Sequence, residues 1–192
     1  MKTLFLMRHA KSSWDFPELS DHDRPLNKRG RQDAPLMGQQ LLSRDVIPDL
    51  IISSTAVRAI TTATLVAKEL DYDREKIQSQ ESVYKAGRSE LIKILQHVPD
   101  DIDCLLVVGH NPVLSEVANK LSPEALADMP TAGVVALEFN CNSWLDISGD
   151  KSKLLFFDFP KNYKQQDKDK DKDKDKDKDK KKGKEDKART EE

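Results

Sequence analysis

Short apolar runs alternate along the chain with segments whose apolar residues recur every three or four positions. Lys2 to Met7 reads as a strand, and Leu26 to Leu42 as a helix with Leu36, Met37, Leu41 and Leu42 on one side. A second strand, Asp49 to Ser53, precedes Thr55 to Leu70, where Ala56, Ala59, Ile60, Ala63, Val66, Ala67 and Leu70 line one helix face, with Ser54 or Thr55 as N-cap. A short strand at Ile77 is followed by a helix capped by Ser89 that ends before Pro99-Asp100-Asp101. The run Cys104 to Val108 is apolar throughout, as in a central strand covered on both faces, and Asn111-Pro112 opens the next helix. Gly133 to Asn140 and Lys153 to Phe159 read as two further strands joined by a turn around Asp146 to Asp150. Strands alternating with helices predict an α/β fold of three layers, α/β/α, with a mostly parallel central sheet and an antiparallel late pair.

Composition divides the chain. The 192 residues hold 32 basic and 34 acidic side chains, but residues 164–192 contribute 13 basic, 11 acidic and one hydrophobic residue, Ala188. The remaining body, residues 1–163, has 19 basic and 23 acidic residues and a net charge of −4. Seven Asp-Lys pairs run from Asp167 to Lys180. With no apolar face to offset ordering entropy, this tail is expected to be disordered; its partner, if it has one, is not legible. The body suffices for one core and one site.

Several classes are excluded at this level. No apolar run approaches the roughly 18 to 20 residues of a membrane span, and Leu4 to Met7 is too short for a signal-peptide core, so the expected location is the cytoplasm. Cys104 and Cys141 lack CxxC spacing and are expected to be reduced, packed thiols. A weakly acidic body offers no basic stripe for nucleic acid, and no membrane partner is expected.

Three polar clusters follow three predicted strands: Arg8-His9, Ser53-Ser54 with Arg58, and Gly109-His110-Asn111. In open α/β sheets ligands bind outside the carboxyl ends of the strands, so two arginines and two histidines are expected to converge there. Arginine forks and helix N-termini suit a phosphate group. Cations around a histidine disfavour its protonation, leaving a neutral imidazole able to attack phosphorus. The arginines and the second histidine would stabilise charge on the transferring group.

The segments Leu6-Met7-Arg8-His9-Ala10, Ser53-Ser54-Thr55-Ala56-Val57-Arg58-Ala59 and Val107-Val108-Gly109-His110-Asn111-Pro112 resemble the signature segments of the histidine phosphatase superfamily. Asp23-Arg24-Pro25-Leu26 with Gly30, Glu81-Ser82-Val83-Tyr84 and Pro130-Thr131-Ala132-Gly133 resemble its small phosphohistidine phosphatase branch, the SixA type. The resemblance runs from about Lys2 to Phe159. It implies a phosphoglycerate mutase-like fold and a cofactor-independent, metal-independent phosphatase. His9 would be the phosphorylated nucleophile, Arg8 and Arg58 phosphate-pocket arginines, His110 the second pocket histidine, and Arg24 a further phosphate contact, with a loop-anchoring salt bridge as the alternative reading of Arg24. Ala10 stands where many superfamily members have glycine. The segment holding Glu81 resembles the one in which larger relatives carry a general acid; Asp21 and Asp23 remain alternatives, and such an acid is expected to have a raised pKa.

Plainer readings apply to other residues. Ser53 and Ser54 would cap a helix, since neither sits in a GxSxG elbow. The adjacent Asp21-His22-Asp23 cannot all face one ion, so no metal site is expected. His97 reads as a partly exposed helix residue and Lys28-Arg29-Gly30-Arg31 as a solvated helix start. Trp14 and Phe16 either wall the pocket entrance or pack in the core. Only 51 residues separate Arg58 from His110, too few for a large lid. The expected substrate is therefore a phosphorylated protein, phosphohistidine first, with a small phosphoester as the rival substrate and a non-catalytic phosphate-binding scaffold as the rival role. Deleting Gln165 to Glu192 is expected to leave turnover of a small phosphoester nearly unchanged in a steady-state assay; a large loss would mean that the folded domain extends into the tail.

Overall fold

The structure is a computed structural model that describes residues 1–164, and every element below lies within Met1–Phe159. Apart from Lys164, the segment expected to be disordered lies outside the described residues. Six strands form one sheet in the order β3-β2-β4-β1-β5-β6: β1 (Lys2–Arg8), β2 (Leu50–Ser54), β3 (Gln78–Gln80), β4 (Cys104–Gly109), β5 (Val134–Phe139) and β6 (Ser152–Asp158). The first four pair in parallel, and β5 and β6 add the antiparallel side. The helices are α1 (Lys28–Leu42), α2 (Val57–Glu69), α3 (Glu81–Lys85), α4 (Arg88–Gln96) and α5 (Val113–Leu121). Among the described residues no helix is long and apolar enough to cross a membrane.

The strand pattern explains the layers. Leu105 to Val108 of β4 and Leu4 to Met7 of β1 are buried on both faces, as their continuous apolar runs require of central strands. Leu4, Leu6, Leu105 and Val107 pack in one cluster with Leu91 and Leu95 of α4 and Leu114, Val117 and Leu121 of α5. The alternate residues Phe5, Met7, Leu106 and Val108 point the other way, toward the face on which α1 and α2 pack. This is the three-layer α/β/α sandwich expected from the alternation of elements.

Three helix starts differ in detail from expectation. α1 begins two residues later than Leu26, because Asn27 caps it: its Oδ1 accepts from the Gly30 N–H at 2.9 Å. α2 has Ala56 at its N-cap with no side-chain cap. The hydroxyls of Ser54 and Thr55 are engaged elsewhere, and the backbone carbonyl of His22 accepts from Val57 N–H at 3.0 Å instead. Ser89 does not cap α4; Gly87 does, since its carbonyl takes the first intrahelical bond, from Leu91 N–H, which leaves Ser89 inside the first turn.

Close approach of α1 to the segment after β1 shapes the site. The Lys11 carbonyl accepts from Asn27 N–H at 3.0 Å, and a β-carbon on Gly30 would run into that same carbonyl oxygen. Gly38 similarly lets α1 approach Glu69 and Val66 of α2. Gly30→Ala should therefore destabilise the fold by about 2 kcal/mol through overpacking, although alanine is favoured over glycine in a helix by roughly 1 kcal/mol. Urea denaturation of the variant gives the sign directly, and a stabilised variant would contradict the close approach.

Candidate active site

Register brings the polar clusters together. Arg8 of β1 lies opposite Gly109 of β4, and Ser53 of β2 opposite Val108, so the three strands end side by side. The next backbone group continues the ladder: His9 N–H donates to the Gly109 carbonyl at 3.0 Å. On the other side, Ala132 N–H meets the Arg8 and His9 carbonyls at 3.1 and 3.2 Å, with Ala132 in the left-handed region at φ 58°. His9 and His110 consequently stand with their rings tilted and 5.0 Å apart.

The His9 ring is buried, and its Nδ1–H donates to the carbonyl of Ala10 at 2.7 Å. That bond fixes the tautomer and leaves the Nε2 lone pair outward, 3.3 Å from the Nε–H of Arg58. Ala10 N–H is held in turn by the buried Thr62 hydroxyl, which donates to the Arg58 carbonyl at 2.6 Å. The His9 pKa is pushed down to about 3, first by burial and then by His110, Arg58 and Arg8, against the upward pull of the Ala10 carbonyl. The neutral histidine expected from the sequence is present, but burial outweighs the cations that were expected to cause it. His110 is likewise pushed down to about 4, by burial and then by Arg58. Its Nε2 meets Ser54 Oγ at 2.7 Å, while its Nδ1 is buried and has no hydrogen-bond partner among the described residues.

The two pocket arginines are held differently. Arg58, buried in the first turn of α2, pairs its Nη2 with Asp21 Oδ2 at 2.9 Å and donates from Nη1 to the Asp21 carbonyl. Arg8 donates from Nη1 to the Met129 carbonyl at 2.8 Å, and its buried Nε is unpartnered among the described residues. Burial lowers the Arg8 pKa, opposed by Asp128. Unsatisfied buried donors are costly unless a ligand uses them, so the Arg8 Nε–H favours an oxygen-rich anion here.

Arg24, expected as a further phosphate contact, is held within the loop after β1. Its Nε donates to the Ser13 carbonyl at 3.1 Å, its Nη2 to Ser12 Oγ at 2.6 Å and its Nη1 to Asp21 Oδ1 at 2.9 Å, and its guanidinium stacks 3.2 Å from the Trp14 ring centre. Each guanidinium nitrogen thus donates within the loop, and the link from Arg24 to the pocket runs through Asp21, which it shares with Arg58. Trp14 and Phe16 are exposed, which removes the core-packing reading. In Asp21-His22-Asp23, Asp21 pairs with Arg58 and Arg24, while His22 meets both Thr55 and Asp23, which also accepts from Ser20.

None of Glu81, Asp21 and Asp23 has the raised pKa expected of an acid. Glu81 is exposed and held below its usual range by the Thr55 hydroxyl at 2.6 Å and then by Lys85. Asp21 is pulled up by burial, but its bonds with Arg58, Arg24 and Tyr84 outweigh this and lower it overall. Asp23 is lowered by His22 and then Ser20. The physical reason is common to all three: each accepts hydrogen bonds that favour its ionised form.

Tyr84 is a pocket residue that sequence reasoning missed. Its hydroxyl donates to Asp21 Oδ2 at 3.3 Å and its ring stands edge-on to His110, with centroids 5.6 Å apart. Contacts therefore close a ring around the pocket, through His9, Arg58, Asp21, Tyr84 and His110. Its signal was its place three residues after Glu81 in the Glu81-Ser82-Val83-Tyr84 segment, on the same side of α3.

Comparison with known proteins places the chain in a family. Residues 4–83 match the family model of the histidine phosphatase superfamily, branch 1. An uncharacterised chloroplastic protein of Arabidopsis thaliana is 34% identical over 151 residues, spanning 74% of this chain and 69% of the relative. An uncharacterised protein of Mycobacterium tuberculosis is 32% identical over 166 residues, spanning 81% of this chain and 100% of the relative. The chain belongs to the histidine phosphatase superfamily and is a phosphatase, a hydrolase of phosphoryl groups. Its place there is the SixA-type branch. The SixA structure from Agrobacterium tumefaciens superposes with a TM-score of 0.70 at 27% identity, over 83% of this chain and 98% of that one. SixA from Nakamurella multipartitia gives 0.70 at 25%, over 83% and 96%.

Both pocket histidines have folded-state pKa values below the 6.5 of an ordinary imidazole. Between pH 6.5 and the folded values the unfolded chain binds more protons, so stability falls as pH falls through this window. Each imidazole removes up to about 1.4 kcal/mol per pH unit. Wild type should lose about 2 kcal/mol more than His9→Gln between pH 7 and pH 4.5, read by denaturant titration at each pH. Equal losses would mean that His9 is not buried neutral.

Proposed function

We propose that this phosphatase works through a phosphohistidine at His9 and removes phosphoryl groups from proteins, phosphohistidine being the favoured substrate. The observation that carries the reading is the His9 ring: neutral, locked by Nδ1–H to the Ala10 carbonyl, with its Nε2 lone pair beside Arg58. In the first step Nε2 attacks phosphorus and the bond to the leaving atom breaks. In the second, water attacks phospho-His9 and frees phosphate. Charge on the equatorial oxygens would be met by Arg58, Arg8 and His110. His110 suits this because the Ser54 hydroxyl, accepting Ala56 N–H at 3.2 Å, can give its proton to Nε2 and leave Nδ1–H as a donor. Incoming phosphate competes with Asp21 for Arg58, since both are anions.

Pocket openness supports a protein-borne substrate. The residues between Arg58 and His110 are taken up by α2, a 3₁₀ turn, β3, α3, α4 and β4, with no inserted lid. A mutase would need such cover to keep water from its phosphoenzyme. The cysteines support a reducing compartment such as the cytoplasm: both thiols are free, and burial pushes Cys104 up to about 12. The Mycobacterium and Arabidopsis relatives are uncharacterised, so the support comes from the SixA likeness and the open site.

Incubation with an activated phosphoryl donor should yield an acid-labile, alkali-stable phosphoenzyme in wild type and none in His9→Ala. Arg58→Ala should lower turnover by roughly 10²-fold or more, the scale of losing one preorganised charge-stabilising donor. A panel of phosphohistidine protein, phosphoserine peptide and sugar phosphate then ranks the substrates. Survival of the phosphoenzyme in His9→Ala would sink the mechanism, and equal turnover across the panel would remove the substrate assignment while leaving the mechanism standing.

A further inference from the structure

Above the ring of pocket residues, four side chains form an unbroken hydrogen-bonded line. His22 Nδ1 meets Asp23 Oδ1 at 3.1 Å, His22 Nε2 meets Thr55 Oγ1 at 3.0 Å, and Thr55 Oγ1 meets Glu81 Oε2 at 2.6 Å. Counting protons along this line is informative. The Thr55 hydroxyl has a single hydrogen. If it donates to an ionised Glu81, Thr55 must accept from His22 Nε2–H, while the ionised Asp23 accepts from Nδ1–H. His22 then carries both ring protons. If the extra proton sits on Glu81 instead, every bond reverses between Glu81 and His22 and the line remains intact. The line thus holds one proton that can move between His22 and Glu81 without a side chain moving. With Thr55 donating to Glu81, whose carboxylate also pairs with Lys85 at 3.0 Å, the bond directions of the line place its proton on His22.

Its position suits the reaction. The His22 ring meets the edge of Tyr84 with centroids 4.9 Å apart, and Tyr84 in turn meets His110. The His22 carbonyl accepts from Val57 N–H, next to Arg58, and the preceding residue, Asp21, pairs with Arg58 itself. The His22 side chain is 34% exposed, whereas His9 is 8% exposed at the pocket base. In an in-line displacement the leaving group departs from the side of phosphorus opposite the attacking His9 Nε2.

We propose that the His22–Thr55–Glu81 line is a proton relay for the leaving group, with His22 as its store. In the first step the P–O or P–N bond breaks as Nε2 of His9 bonds to phosphorus. The Thr55 hydroxyl turns from Glu81, gives its proton to the leaving atom and takes one from His22 Nε2. In the second step, water attacking phospho-His9 returns a proton along the same path, so His22 regains its charge and phosphate leaves. The inference rests on His9 as nucleophile. The groups that set the proton affinity of the line are Asp21 and Asp23 from its own loop, Glu81, Tyr84 and Lys85 from α3, and His110 from the end of β4.

The test compares leaving groups. A good leaving group, p-nitrophenolate, needs little protonation, whereas an alkoxide cannot leave without it. His22→Gln should lower kcat/KM about 10²-fold on an alkyl phosphate, the lower end of what general-acid catalysis supplies, and far less on p-nitrophenyl phosphate. Thr55→Val, which cuts the line but keeps His22, should show the same selectivity. An equal loss on both substrates, or no loss on either, overturns the relay. A wild type that forms no phosphoenzyme overturns the His9 reading instead, and the relay with it.

Discussion

Parallel pairing of β1 with β4, in the register that sets Arg8 opposite Gly109, is the constraint on which the site depends. Strand register is a two-state matter for side chains: a shift of one residue turns every side chain to the other face. Here the register is enforced from both sides of the sheet. Leu4 and Leu6 must meet the α4–α5 side while Phe5 and Met7 meet α1 and α2, and all four are buried. A slip would bury the wrong faces and also separate His9 from His110. The apolar core and the catalytic geometry are therefore held by the same hydrogen-bonded ladder, which His9 N–H extends by one bond beyond the strand.

Electrostatics in the pocket follow from burial more than from neighbouring charge. The His9 imidazole and the Arg58 guanidinium are buried, and the His110 imidazole beside them is half-buried. The imidazoles answer by staying neutral, which costs little. Arginine cannot shed its proton, so the fold supplies Asp21, whose two oxygens reach Arg58 and Arg24. Arg24 is in turn tied to Ser12, Ser13 and Trp14, so the loop between β1 and α1 is organised around charge compensation. That loop also supplies the carbonyl that caps α2, at the cost of the side-chain cap that Ser54 or Thr55 would otherwise provide. Both hydroxyls serve the site instead.

Much of this was legible in the residues. The strands β1, β2, β4, β5 and β6 fall within about two residues of their apolar runs, and β4 is central because its run is apolar on both faces. Arg8, His9, Arg58 and His110 converge because residues that follow parallel strands share one edge. Three points were not legible. Arg24 belongs to the loop, because its partners Ser12, Ser13 and Asp21 are set by how the loop folds back. Tyr84 enters the pocket because the short α3 follows β3 directly at the sheet edge. The acid expected at Glu81 depends on what accepts or donates beside it, and Thr55 and Lys85 both favour the carboxylate.

Sequence by itself determined which elements form, how they layer and which chemical groups reach the carboxyl edge of the sheet. These follow from periodicity and from short motifs, both local properties of the chain. Tertiary structure alone decided the partners of those groups and the cause of the neutral His9: the burial of its ring, the Asp21 bridge between two arginines, and the His22–Thr55–Glu81 line. The reason is that desolvation and hydrogen bonding act through space. They sum over residues far apart in the chain, and only the packed structure specifies which of them meet.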